Sequence, residues 1–287
     1  MTELPLLQVP EWLKFSWLRH GFSTRHGGVS KVYGEDALNL GWTAEDDPSA
    51  VRENRRLLVN AAAGEASSSN GMKLVTVRQV HSSRIHVIQA QDAHAGRLET
   101  PEGKAVLEGD GLITNEHDVL LAAGTADCVP VLLLDPHLRV VGAFHAGWRG
   151  TAGRIVEQGV EKMQKDYGSN RHDLLAAIGP SIGSCCYTVG EDVREKFDDE
   201  FSYSSTLFHE TSNTAQEIKF KIDLWKANNL QLLDAGLEKK NITVIGECTA
   251  CTLEPSGQPR YFSHRAQAGR TGRMLNVIGI RNTKQQS

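Results

Sequence analysis

Two short apolar runs, Val129–Leu134 and Val140–Phe144, stand out along the chain. Both have the length of a strand, and the first predicts a buried strand that ends in the Asp135-Pro136 turn. Neither approaches the ~20 apolar residues of a membrane helix. Leu74–Val80 and Arg84–Ile88 alternate with the two-residue period of a strand. Asp110–Thr114, Val119–Ala122, Leu174–Ile178, Ile242–Glu247 and Met274–Ile280 predict further short strands, with Gly179-Pro180 turning the chain after Ile178. Helical patterning is sparser. Asp47–Asn60 carries Val51, Leu57 and Leu58 among charged residues and opens on Asp47-Pro48, a start signal. Trp148–Tyr167 reads as one long helix, with Ile155, Val156, Val160 and Met163 at helical spacing and Gly168 as its stop. Asp192–Phe197 and Leu224–Ala235 are shorter helices. Strands outnumber helices and no regular βαβ alternation emerges. The pattern predicts a single-domain layered α/β fold with mixed β-sheets, not a doubly wound parallel one.

Composition adds limits. The 287 residues are 40% hydrophobic and 23% charged, with a net charge of −4. That length buries a full core, and that charge suggests neither a nucleic-acid surface nor a polybasic membrane anchor. The first twenty residues hold Glu3 and Pro5 and lack a basic start followed by an apolar core, so they do not read as an export signal. A cytoplasmic location is expected. Ala61–Asn70 is small and polar and predicts a surface loop. Asn282–Ser287 predicts a frayed tail.

Five cysteines, at 128, 185, 186, 248 and 251, are an odd number in a sizeable chain and argue against a disulfide framework. Cys185 and Cys186 are adjacent and cannot readily bridge each other. Cys248 and Cys251 form one Cys-x-x-Cys without a second. A redox pair or a structural zinc half-site is conceivable there, but the expectation is four buried thiols.

The candidate chemistry lies in three segments: Arg78-Gln79-Val80-His81, Thr125-Ala126-Asp127-Cys128, and Phe144 to Gly150 with His145 after a strand. Two imidazoles and a thiolate are preferred zinc donors, and three protein ligands leave a fourth position open. The separations, from 81 to 128 and from 128 to 145, match no compact zinc motif. Spacing alone therefore leaves two readings: a metal site of His81, Cys128 and His145, or a buried Cys128 with two unrelated histidines.

These segments, with Phe22–Ser30 (FSTRHGGVS), Asp110–Thr114 (DGLIT), Ile178–Gly190 (IGPSIGSCCYTVG), Asp223–Trp225 and the block from Cys248 to Met274, resemble the laccase-domain family, formerly labelled multicopper polyphenol oxidoreductases. The resemblance runs from about Gly21 to Ile280. It implies a catalytic domain over 21–281 after an N-terminal extension over 1–20. It also implies an α/β sandwich related to toxin deamidases, and a metal, zinc with copper as the alternative, on His81, Cys128 and His145. The activities it implies are purine nucleoside phosphorolysis, adenosine deamination and peptidoglycan-precursor editing.

A multicopper oxidase needs many clustered imidazoles, and no two of the eleven histidines are separated by two residues. None of Met1, Met72, Met163 and Met274 adjoins the Cys128 or His145 motif as an axial blue-copper ligand would. Copper could still occupy an N/S site. Nucleoside phosphorolysis requires an anion site, for which Arg25, Asn39, Arg149 and Arg265 are the candidates. Arg149 gains weight from the expected helix N-terminus. Arg270 reads as a surface residue. Asp127 is the carboxylate next to Cys128, either a catalytic acid/base, an acceptor orienting a ligand histidine, or a turn residue. Cys128 could also be a nucleophile with His145 as its base. The expected partners are a purine nucleoside and phosphate. A metal-binding interaction protein is disfavoured, because a structural site would close its fourth position.

Overall fold

The computed structural model describes residues 4, 6–64, 71–214 and 217–282. Among these described residues, fifteen strands and six helices follow in order: β1 (Leu6–Leu7), β2 (Leu18–Ser23), β3 (His26–Ser30), α1 (Pro48–Ala63), β4 (Lys73–Val75), β5 (Ile85–Val87), α2 (Ala90–His94), β6 (Gly111–Thr114), β7 (Val119–Thr125), β8 (Val129–Asp135), β9 (Val140–Ala146), α3 (Trp148–Ala152), α4 (Ile155–Tyr167), β10 (Leu175–Ile178), β11 (Thr188–Val189), α5 (Glu191–Glu200), β12 (Phe208–Thr214), β13 (Glu217–Ile222), α6 (Leu224–Asp234), β14 (Ile242–Val244) and β15 (Met274–Ile280). A five-stranded sheet in the order β1-β2-β15-β7-β4 lies on a six-stranded sheet in the order β14-β10-β8-β9-β6-β5. Both are mixed: β4 with β7, β5 with β6 and β10 with β14 are parallel, and the other pairs are antiparallel. The layering and mixed sheets are those that the pattern predicts, and the sandwich is the one that the resemblance implies.

Strand periodicity explains the layers. Along β8, Leu132 and Leu134 point at the five-stranded sheet, while Val129, Val131 and Leu133 point at α4 and α6. In β7, Leu121 and Ala123 face the six-stranded sheet, and Leu120 and Ala122 face Leu58 and Ala62 of α1. The result is four layers, helix, sheet, sheet and helices. Uninterrupted apolar runs mark the strands covered on both faces.

Several boundaries differ from the sequence pattern. The helix expected over Trp148–Tyr167 is two helices: Gly153 and Arg154 separate α3 from α4, and Arg154 sits in the left-handed region at φ 57°. Its guanidinium holds Glu157 and the carbonyl of Glu200, contacts that compensate an unfavourable backbone. The expected strands Leu74–Val80, Arg84–Ile88 and Ile242–Glu247 shorten to β4, β5 and β14, and Asp192–Phe197 lengthens to α5. α1 runs on to Ala63, so the loop expected from Ala61 begins three residues too early. Residues 65–70, and 283–287 of the expected tail, lie outside the described residues. No helix among the described residues is long and apolar enough to cross a membrane.

β2 escaped the pattern because Arg19 and His20 interrupt it. His20 is nonetheless buried, and its Nε2 accepts a hydrogen bond from the Val9 amide at 2.9 Å. Burial holds this imidazole at about 4, below its ordinary 6.5. Its folded-state value is depressed, so its contribution is complete above 6.5 and is lost as the pH falls toward 4. We expect His20 to account for about 2 kcal/mol of destabilisation between neutral pH and pH ~5. Urea unfolding of wild type and His20→Gln at both pH values checks this: the variant should be less stable at neutral pH but lose less on acidification. Equal pH dependence would refute it.

Candidate metal centre

His81, Cys128 and His145 meet at one end of the six-stranded sheet, with their donor atoms all within 4.8 Å of one another. Each is delivered differently. His145 is the sixth residue of β9, pairs in register with Pro130 of β8, and is 3% exposed. Cys128 immediately precedes β8. His81 lies in a loop that Gln79 clamps to β7: its amide donates to the Gly124 carbonyl and accepts from the Gly124 N–H, both at 2.7 Å. His81 and Asp127 both have positive φ, 58° and 96°. Non-glycine residues rarely adopt this conformation, and it clusters where surrounding contacts hold a functional geometry.

Asp110 builds the centre. One oxygen, Oδ1, accepts from His145 Nδ1 at 2.9 Å and from the His81 amide at 3.0 Å. The other, Oδ2, accepts from the Ser82 amide at 2.6 Å and the Ser82 hydroxyl at 2.7 Å. Burial opposes its ionisation, but these donors outweigh burial and hold the carboxyl at about 2. With Nδ1–H committed to Asp110, Nε2 of His145 is left for the ligand side, the tautomer control common in metal sites.

The donor set fits zinc. A tetrahedral ion with Zn–S ≈ 2.3 Å and Zn–N near 2.0–2.1 Å separates S and N by about 3.6 Å, and Cys128 Sγ lies 3.9 Å from His81 Nε2. The thiolate form needed of a ligand is favoured: burial works against it, but His145 and His81 facing the sulfur pull the Cys128 thiol down to about 6. Burial likewise opposes charge on His145, but Cys128 on one side and Asp110 on the other raise it.

Close approach also depends on Gly147. A Cβ there would stand 3.0 Å from Cys128 Sγ and 3.1 Å from His81 Cδ2, although the backbone, at φ −60°, tolerates any residue. Gly147→Ala is expected to leave the fold intact while displacing two ligands. A displacement of this scale costs on the order of 10²-fold in activity. Metal titration together with thermal melting tests it: unchanged metal affinity would show that the loop yields.

Beside Cys128 lies a polar rim. Arg265 stacks on Tyr187 at 5.2 Å and donates from Nη1 to the Thr188 carbonyl at 3.0 Å. Arg149 lies over Trp148 at 4.2 Å. Burial pushes the Tyr187 phenol up to about 12. The charge on Cys128 adds to this, against Arg265 and Arg149.

A model of the family described as multi-copper polyphenol oxidoreductase laccase matches residues 19–281. The chain belongs to that family. Among its relatives is Purine nucleoside phosphorylase YlmD of Bacillus subtilis, 36% identical over 261 residues, covering 91% of this chain and 88% of the relative. A purine nucleoside phosphorylase of Deinococcus radiodurans is 38% identical, covering 96% of this chain and 93% of the relative. The crystal structure of the hypothetical protein YfiH of Bacillus licheniformis superposes with a TM-score of 0.83 at 32% identity, over 98% of each chain.

In this laccase-family chain the sequence-selected residues divide. His81, Cys128 and His145 converge, with Arg149, Arg265 and Tyr187 around them. The acceptor that orients His145, one of the three roles open to Asp127, is Asp110. Asp127 spends one oxygen on the Thr249 hydroxyl at 2.7 Å and the other on the Arg265 amide at 2.6 Å, and so anchors the Arg265 loop. Asn39 is 0% exposed, and its amide is consumed internally. It accepts from the Gly41 and Arg273 amides and donates to Asp46, Gly41 and Thr43. That leaves no atom for a substrate. Arg25 stacks on Phe262 at 4.9 Å and donates to the Tyr33 carbonyl, beside a cleft of about 300 Å³ that none of His81, Cys128 and His145 lines. Arg149 stands in a helix of five residues, so the strong terminal field expected of a long helix is missing. Asp110 and Tyr187 were missed, although both lie inside the motifs that carry the resemblance. A buried aspartate that opens a strand has no distinguishing mark in sequence.

Proposed function

We propose that this chain is a zinc-dependent purine nucleoside phosphorylase. It would act on adenosine, inosine, guanosine and methylthioadenosine to give free base and ribose 1-phosphate, with adenosine deamination at the same site. The observation that carries the proposal is the His81–Cys128–His145 cluster, organised by Asp110 and flanked by two arginines and a tyrosine, in a chain whose relatives bear the phosphorylase name. A zinc ion held there supplies Lewis-acid polarisation at an open coordination position. Arg149 and Arg265 hold phosphate in charge-assisted hydrogen bonds. A phosphate oxygen forms the bond to the ribose anomeric carbon as the bond to the purine nitrogen breaks, and the departing base takes up a proton. Tyr187 stays protonated at neutral pH and donates a hydrogen bond to the substrate. Asp110 keeps His145 in one tautomer throughout.

A copper cluster fits poorly. Only two of the eleven histidines join the donor group. Elsewhere His20 accepts from Val9, while His26 and His86 bond the carbonyls of Pro259 and Glu108. A single copper on the same three donors remains compatible with ligand chemistry. Five cysteines, none in a disulfide, fit a reducing, cytoplasmic location.

The order Cys128, His145, Asp110 favours one second reading: a thiol nucleophile, its base and an orienting carboxylate, suited to hydrolysing an amide such as a muropeptide bond. One assay separates the two. Protein of known metal content is given adenosine and inosine, each with and without phosphate, and products are resolved by chromatography. Phosphate-dependent base release that a chelator abolishes supports phosphorolysis. Inertness of the zinc-loaded protein toward both nucleosides would sink it, and chelator-resistant amide hydrolysis would establish the thiol reading.

A further inference from the structure

Of the four cysteines expected to be buried thiols, one is. Cys248 is buried and Cys186 half-buried, but Cys185 and Cys251 are exposed, and the four sulfurs lie within 4.8 Å of one another. Two turns bring them together. Cys185 and Cys186 ride a turn in which the amides of Cys186 and Tyr187 both bond the Gly183 carbonyl. Cys248 and Cys251 ride a second, closed by the amides of Cys251 and Thr252 on the Cys248 carbonyl. A bridge between Ser181 and Cys248 aligns the two segments.

We propose that Cys185, Cys186, Cys248 and Cys251 form a tetrathiolate site for a single structural zinc ion, separate from the His81–Cys128–His145 centre. Four sulfurs 2.3 Å from one ion at tetrahedral angles stand about 3.8 Å apart. Cys185 Sγ and Cys251 Sγ are 3.7 Å apart, close to that spacing and far beyond the ~2.05 Å of a disulfide. The Cys-x-x-Cys turn is the usual half of such a site. The other half, an adjacent pair, works because the turn after Gly183 points both side chains the same way. Charge is managed locally. The amides of Gly183, at 3.3 Å, and of Ala250 point at Cys248 Sγ, and Lys221 Nζ sits 2.8 Å from the Cys185 carbonyl. Such donors stabilise the excess negative charge of bound thiolates. Four protein ligands close the coordination sphere, which marks the site as structural.

Its position gives it a task. Cys186 adjoins Tyr187, and Cys248 adjoins Thr249, whose hydroxyl holds Asp127 and through it the Arg265 loop. Binding one ion fixes both turns and with them the tyrosine and arginine beside Cys128.

The test counts metal in zinc-supplied protein purified under reductant. Two equivalents per chain are expected in wild type, one in Cys128→Ala and one in Cys248→Ser/Cys251→Ser. Because the double variant removes two side chains that tie the turns together, the deciding measurement uses Cys128→Ala, which keeps all four cysteines. Loaded with cobalt, it should show the intense visible and charge-transfer bands of a tetrahedral all-thiolate ion. The proposal is overturned if wild type holds one equivalent and Cys128→Ala none, if Cys128→Ala takes up no cobalt, or if its mass under reductant shows paired cysteines. The readout needs no activity, so failure of the phosphorylase reading leaves it untouched, and the reverse also holds.

Discussion

Cys128→Ala is expected to lose one equivalent of metal and about three orders of magnitude in kcat/KM for phosphorolysis while remaining folded. The size follows from the several kcal/mol that a positioned metal contributes to a charged transition state, at about 1.4 kcal/mol per decade. The fold should survive because Cys128 is only half-buried and precedes β8, whose own residues supply the packing. Thermal unfolding should shift by no more than about 1 kcal/mol. His81→Ala should behave alike, since its side chain joins the protein mainly through the donor cluster. Elemental analysis and steady-state kinetics on the same preparation decide the matter. A variant that lacks that equivalent yet keeps full activity would end any mechanism centred on the metal.

Asp110→Asn is expected to act on both stability and function. An amide can accept at one position only, while the carboxylate accepts from His145, His81 and Ser82 at once. At least one buried donor loses its acceptor, at a cost of about 1–3 kcal/mol. The amide side chain also presents an N–H₂ group where His145 Nδ1 donates, turning the imidazole or reversing its tautomer. Loss of an orienting partner typically costs 10–100-fold in metal affinity or activity. Chelator competition below the unfolding transition, with histidine NMR to assign the tautomer, tells positioning from instability. Wild-type metal affinity in a folded Asp110→Asn variant would reduce Asp110 to a structural role.

How much of this was legible in sequence depended on what each residue needed around it. β15 was delimited to the residue, and β8 and β9 within one or two, because strands buried on both faces are predominantly apolar. β2 was lost because His20 is buried through a contact with Val9 that no local pattern reveals. The split between α3 and α4 turns on one left-handed arginine whose partners lie on α4 and at the end of α5. His81, Cys128 and His145, which the structure brings together, were selected through their motifs, their spacing having left the matter open. Asn39 was selected from a loop whose internal bonding could not be seen. The cysteine cluster joins residues 66 apart in the chain, so each half looked incomplete by itself.

The place of β15 governs when this protein can fold. Met274–Ile280 inserts between β2 and β7, and its seven residues are all buried. Until these late residues leave the ribosome, β2 and β7 each present an unpaired, largely apolar edge, a template for association with other chains. The last strand of the sheet to be synthesised is thus an interior one, and its loop closure spans most of the chain. The joining of β2 to β7 must therefore wait for β15, a non-local closure that makes folding slow for the size of the domain.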